Sequence, residues 1–173
     1  VAVTLGAGGL GLAHAGNNDQ AAAYVAINPC RLADTRPDSP VGPHTGPIGP
    51  DTAISFTGHG DVPGTCNLPT NSTALELNVT AVGATQPTFL TIHPTGTPRP
   101  TASHLNPTPG AAAAPNSVTA ALGTNGQFDV YNRFGNVHVI VDVVGYYVPT
   151  TASGTPGPAG PQGPQGPAGP QGP

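Results

Sequence analysis

Residues 137–147 read "VHVIVDVVGYY". Side chains alternate across an extended chain, so Val137, Val139, Val141 and Val143 share one face. His138, Ile140, Asp142, Val144 and Tyr146 share the other. Both sets are largely apolar, which predicts a central strand covered on both sides. Just upstream, "SVTAAL" (117–122) and "QFDVYN" (127–132) flank Asn125-Gly126. That pair suits a two-residue turn whose positions both need φ > 0. Gly135-Asn136 turns the chain again. Residues 117–147 are therefore expected to form an antiparallel meander of these strands.

Working outward, "TALELNVTAV" (73–82) alternates, with Leu75, Leu77, Val79 and Ala81 facing one way. "TFLTI" (88–92), "AISFTG" (53–58) and "YVAI" (24–27) are further strand candidates. No stretch combines helical periodicity with caps. The alanines at 111–114 lie between Pro109-Gly110 and Pro115, which argues against a helix. Many short strands with Pro/Gly connections indicate an all-β fold, an antiparallel sandwich or jelly-roll-like head over residues 24–148. Two connections, 36–51 and 93–116, are long enough to be functional loops.

The chain ends in a different pattern. Gly154, Gly157, Gly160, Gly163, Gly166, Gly169 and Gly172 keep a strict period of three, and Pro follows most of them. In a collagen triple helix every third residue meets the shared axis, where only Gly fits. Proline presets the extended backbone. A Pro/Gly linker has no reason to hold glycines in phase, so residues 154–173 read as a collagen-like repeat. Three chains are needed, so the partner implied is self, as a homotrimer. The repeat breaks off at Gly172-Pro173 and is expected to continue. Residues 149–153 read as a linker.

At the other end, a small-residue apolar run closes in Ala13-His14-Ala15, before polar Gly16-Asn17-Asn18-Asp19. This is similar to the apolar region and cleavage site of a secretory signal peptide, with Ala13 and Ala15 as the small residues. A flexible terminus or one short strand is the alternative. The run is too short to span a bilayer. No initiator Met or basic segment precedes it, so the chain is expected to begin inside a longer gene. Residues 1–15 read as the signal remnant and 16–23 as a linker. In an exported chain, the pair Cys30 and Cys66 suggests a disulfide. It would close a loop worth about 3–4 kcal/mol by chain entropy.

Charge is sparse: four Arg, no Lys and eight acids, for a net charge of −4. That excludes a basic face for nucleic acid and a polybasic membrane anchor. Cys30-Arg31-Leu32-Ala33-Asp34-Thr35-Arg36 gathers two of the arginines around an acid. It reads as a structural polar network with Asp142, which needs a partner if its strand face is buried. An anion or sugar site using the guanidinium forks is the rival reading. No metal or other cofactor is expected. His59-Gly60-Asp61 and turn-borne Asp51 or Asp61 are the weak candidates for a transition metal or calcium. There is no G-x-S-x-G elbow, and Glu76 is the only Glu, so no acid/base pair stands out. No catalytic residue is assigned. Tyr131, Tyr146 and Tyr147 are expected to lie together near the end of the meander and to pack the fold or an interface.

The tail resembles bacterial collagen-like surface proteins, whose Gly-Pro-Gln and Gly-Pro-Ala triplets lack charge. The head is similar to a β domain of secreted actinobacterial proteins. The likeness rests on "INPCRLADTRP" (27–37), on a Cys before "ALELNVTAV" (74–82), and on "VYNRFGNVHVIVDVVGYY" (130–147). It covers roughly 24–148 and implies a Cys30–Cys66 disulfide and no catalytic activity. The expectation is a non-enzymatic, secreted or cell-surface protein, structural or adhesive, with a head on a trimeric stalk and a glycan or matrix protein as its ligand. Two alternatives stay open: a carbohydrate-binding module, and an accessory domain of a larger secreted enzyme.

Overall fold

The computed structural model describes residues 21–61 and 66–150, with the side chain of Asp61 excepted. The signal and cleavage residues Ala13 and Ala15, and the collagen glycines 154–172, lie outside the described residues. Among the described residues nine strands form in chain order: β1 (Ala22–Asp34), β2 (Thr52–Thr57), β3 (Gly60–Asp61), β4 (Asn67–Leu68), β5 (Ala74–Val82), β6 (Leu90–Pro94), β7 (Ala114–Ala121), β8 (Gln127–Asn132) and β9 (His138–Pro149). All pairings are antiparallel. One sheet runs β1-β9-β5-β7, a second β2-β8-β6, and β3-β4 is a small ribbon. The fold is an all-β, sandwich-like arrangement.

The alternation in β5 assigns its faces directly. Leu75, Leu77, Val79 and Ala81 are buried, while the residues between them are half-exposed. β9 lies between β1 and β5, so it is central. Val139, Val141 and Val143 are fully buried. Against them, from the second sheet, come Phe56, Phe128, Val130, Leu90 and Ile92, in one continuous core. The expectation that β9 is covered on both faces needs correction. His138, Asp142 and Val144 on its outer face are only partly buried. That face is covered in part by polar and charged neighbours, described below.

A larger correction concerns the meander. β7 pairs with β5, β8 with β2 and β6, and β9 with β1 and β5. The segments expected to be neighbours are divided between two sheets. The turn chemistry itself is as read: Asn125 and Gly126 have φ of 57° and 66°. Around them the Gly123 amide donates to the Gln127 carbonyl at 2.8 Å. A third segment then intervenes. The Thr95 amide also donates to the Gln127 carbonyl, and the Thr124 amide to the Thr95 carbonyl. Thr95 follows β6, so the turn is captured by the second sheet just as β8 begins.

β1 extends well past "YVAI", through Pro29. Its register with β9 shifts between Ala26 and Cys30 and again between Arg31 and Ala33. Proline has no N–H for a ladder, and strands accept it at an edge or a bulge. β1 offers both, because it is an edge strand and Pro29 falls inside the first shift. The long connections are pinned to the sheets. The first bridges Asp34 to Val41 and Ile48 to Val137, and it buries Ile48. The second bridges Leu105 to Leu90 and shields the edge of β6. Among the described residues no helix is long and apolar enough to cross a membrane.

Candidate functional site

The shifts in β1 place its polar residues against β9. Arg31 sits opposite Asp142 and Asp34 opposite Ile140. Arg31 grips Asp142 with two donors, Nε to Oδ1 at 2.6 Å and Nη2 to Oδ2 at 3.2 Å. Its Nη1 donates to Asp34 Oδ2 at 3.3 Å. Arg36 donates to Asp34 from Nη2 at 2.7 Å, from Nε at 3.0 Å and from its backbone amide at 3.1 Å. The Asp34 side chain is fully buried, and the two guanidinium groups are about a third exposed. Burial opposes ionisation of Asp34, but the Arg36 bonds and the charges of Arg36 and Arg31 outweigh it and hold its pKa below the ordinary value. The bond to Asp142 raises the pKa of Arg31.

The structure thus brings Arg31, Asp34, Arg36 and Asp142 together. Both guanidinium forks are occupied by carboxylates of the same chain, which leaves little for an external anion. Next to this network Cys30 is bonded to Cys66, with their Cα atoms 5.6 Å apart. The bridge ties the edge strand β1 to the segment just before β4.

Among the described residues the histidines are spread out, and four of the five make a hydrogen bond. His44 Nε2 bonds the Ser55 carbonyl, and His138 Nδ1 bonds the Thr35 carbonyl. His104 Nδ1 accepts from the Ile92 amide, and burial followed by the neighbouring His93 lowers its pKa. Among the described residues no group of three or more His, Cys, Asp or Glu is placed to hold a metal. The side chain of Asp61 lies outside the described residues, so the His59–Asp61 candidate does too.

Three adjacent strands do align Ser55, Asp129 and His93 in register. The order of bonding is wrong for a nucleophile. Ser55 donates straight to Asp129 Oδ1 at 2.6 Å, and Thr95 donates to the same oxygen at 2.6 Å. In a Ser-His-Asp relay the imidazole stands between hydroxyl and carboxylate. Here the carboxylate is capped by two hydroxyls instead.

The tyrosines do not form the expected single group. Tyr147, on β9, pairs with Tyr24 at 5.3 Å between ring centroids, and Tyr146 packs on the core. Tyr131 lies on β8, in the other sheet, 6.2 Å from Phe89. Its hydroxyl donates to Asp51 Oδ1. Arg133 Nη1 donates to that same carboxylate oxygen at 2.8 Å and to the Tyr131 hydroxyl oxygen at 3.3 Å. The Tyr131 hydrogen bond, then the Arg133 bond and charge, lower the pKa of Asp51. Arg99, from the second long connection, lies over the Tyr131 ring at 4.1 Å. Arg133 lies over the half-exposed ring of Phe134 at 5.1 Å.

Sequence reading missed this ridge, because its parts lie far apart in the chain. The available signal was Arg99 itself, the only charged residue of the connection 93–116 apart from histidines, held between Pro98 and Pro100. Comparison with protein-family models and with curated proteins finds no match for this chain.

Proposed function

We propose that this is a non-enzymatic, secreted or cell-surface protein whose β head is displayed on a trimeric collagen-like stalk and serves structural attachment. The observation that carries the reading is the unbroken phase of glycines from Gly154 to Gly172. The Cys30–Cys66 bond supports an oxidising compartment, where such bridges persist. The occupied forks of Arg31 and Arg36 and the capped Asp129 support a scaffold role for those polar residues. Three copies on one stalk would convert a weak contact into firm attachment, because second and third contacts become intramolecular.

Sedimentation of the full chain over a range of concentrations tests the stalk. A trimer is expected, and Gly163→Ser should weaken it toward monomer, since one Gly substitution disrupts a triple helix locally. A chain ending at Thr150 separates the two possible sources of assembly. A monomer there assigns trimerisation to the repeat, and a trimer assigns it to the head. A monomeric full chain would overturn the stalk reading for these residues.

A further inference from the structure

We propose that the ridge of Arg99, Tyr131, Arg133 and Phe134 binds an acidic glycan, a polymer whose sugar rings carry carboxylates. The inference begins with the arginines, the only fixed cations of a chain with net charge −4. Arg31 and Arg36 are spent on Asp34 and Asp142. Arg133 gives one nitrogen, Nη1, to Asp51 and Tyr131. Among the described residues Arg99 alone makes no ion pair with a carboxylate. Its guanidinium carbon lies 4.1 Å from the centroid of the Tyr131 ring, and its N–H donors are not taken up by a carboxylate. Two guanidinium groups therefore converge on one tyrosine, Arg99 on the ring and Arg133 on the hydroxyl, with a single carboxylate between them.

The presentation is fixed before any ligand arrives. Pro98 and Pro100 restrict the backbone on either side of Arg99. The loop is tied down by Thr97, which donates to the Pro94 carbonyl at 2.7 Å, and by Thr91, which donates to the Ala102 carbonyl at 2.6 Å. Ordering costs on binding are correspondingly small. Phe134 supplies the apolar element. It is 46% exposed, and among the described residues its only large apolar counterpart in exposure, Tyr24, lies on β1 of the four-stranded sheet. A uronate unit offers a carboxylate to the fork of Arg99, which has none, and a C–H face to the exposed part of the Phe134 ring. A polymer of such units supplies a second carboxylate to Arg133.

The proposal rests on the attachment reading of the head but not on the stalk. Assembly is read by sedimentation and capture by titration, so either can fail alone. The experiment is isothermal titration of the full chain with oligogalacturonate, with neutral oligogalactan of equal length, and with poly-glutamate. It is run at about 50 mM and about 300 mM salt, which brackets a large change in screening. Binding is expected for oligogalacturonate, weakening with salt, with none for the neutral polymer. Arg99→Ala should weaken it by about tenfold, the loss of one charge-assisted fork. Arg99→Lys should recover only part, since the planar fork is lost. Phe134→Ala should weaken binding while leaving its salt dependence unchanged. Arg99 is exposed, so its variants are expected to keep the wild-type thermal unfolding, and Arg99→Lys serves if Arg99→Ala does not. Absence of binding, equal binding of the neutral polymer or of poly-glutamate, or binding indifferent to both Arg99 variants would each overturn the proposal.

Discussion

Replacing Asp34 by asparagine should cost the head about 2–3 kcal/mol. The magnitude follows from its contacts. The carboxylate is fully buried and accepts from Arg36 Nη2, Nε and N and from Arg31 Nη1. Hydrogen bonds to charged groups contribute about 1.5–3 kcal/mol, and breaking a buried ion pair costs about 3–5 kcal/mol. The lower part of that range applies, because both guanidinium groups are partly exposed and can turn to water, and Arg31 keeps Asp142. For a domain of this size the loss corresponds to roughly 10 °C in Tm. The dependence on pH fixes the cause. The folded pKa of Asp34 is depressed, so its stabilisation is fully present above the unfolded value, about pH 3.9, and is lost as pH falls through the lower folded value. Urea unfolding of wild type and Asp34→Asn, with the disulfide intact, should show a constant gap between about pH 5 and 8 that narrows below about pH 4. A gap under about 0.5 kcal/mol at neutral pH, or one unchanged in strong acid, would refute the network as a stabilising element.

Reduction of Cys30–Cys66 should lower stability by about 3–4 kcal/mol, measured as the denaturation midpoint with and without reductant. Gly145→Ala should destabilise by about 1 kcal/mol, because an added Cβ would fall inside the Tyr24 ring and displace it. The same change made in Tyr24→Ala should then cost less, a non-additivity that a double-mutant cycle measures. Ser72→Ala should be neutral or stabilising by up to about 1 kcal/mol, read in the same unfolding assay. The Ser72 hydroxyl is buried and is the one buried side-chain polar atom without a partner among the described residues.

Alternation along a single strand is a local property, and it was legible wherever one face is buried. Leu75, Leu77, Val79 and Ala81 gave the inner face of β5, and the valines of β9 gave its neighbour. Which sheet a strand joins is not local. Asn125-Gly126 dictates a reversal, but the Thr95 backbone decides where the chain goes next, and Thr95 lies a whole strand away in sequence. Pro29 hid the second half of β1, because its tolerance depends on a register shift set by β9. The Arg31–Asp34–Arg36–Asp142 group could be anticipated, since an acid on a largely apolar strand face needs a partner and two arginines stand close together in the sequence. The ridge at Tyr131 could not, because it joins Asp51, Arg99 and Tyr131–Phe134 from three separate connections and strands.

The head begins and ends at one place. The Thr150 amide and hydroxyl both donate to the Ala21 carbonyl at 2.8 Å, and Ala22 pairs with Pro149. Tension applied through these two points draws neighbouring antiparallel strands apart sideways, so their rungs open in sequence, as in a zipper. Peeling starts at Ala22 and proceeds along β1 until it meets Cys30. There the covalent bond carries the load across to Cys66, and the backbone of residues 31–65 drops out of the loaded path. In the oxidised head the bridge thus keeps residues 31–65, the Asp34 turn included, from being drawn out by the load. Once it is reduced, the zipper runs on into the Asp34 network, and the head yields as a whole.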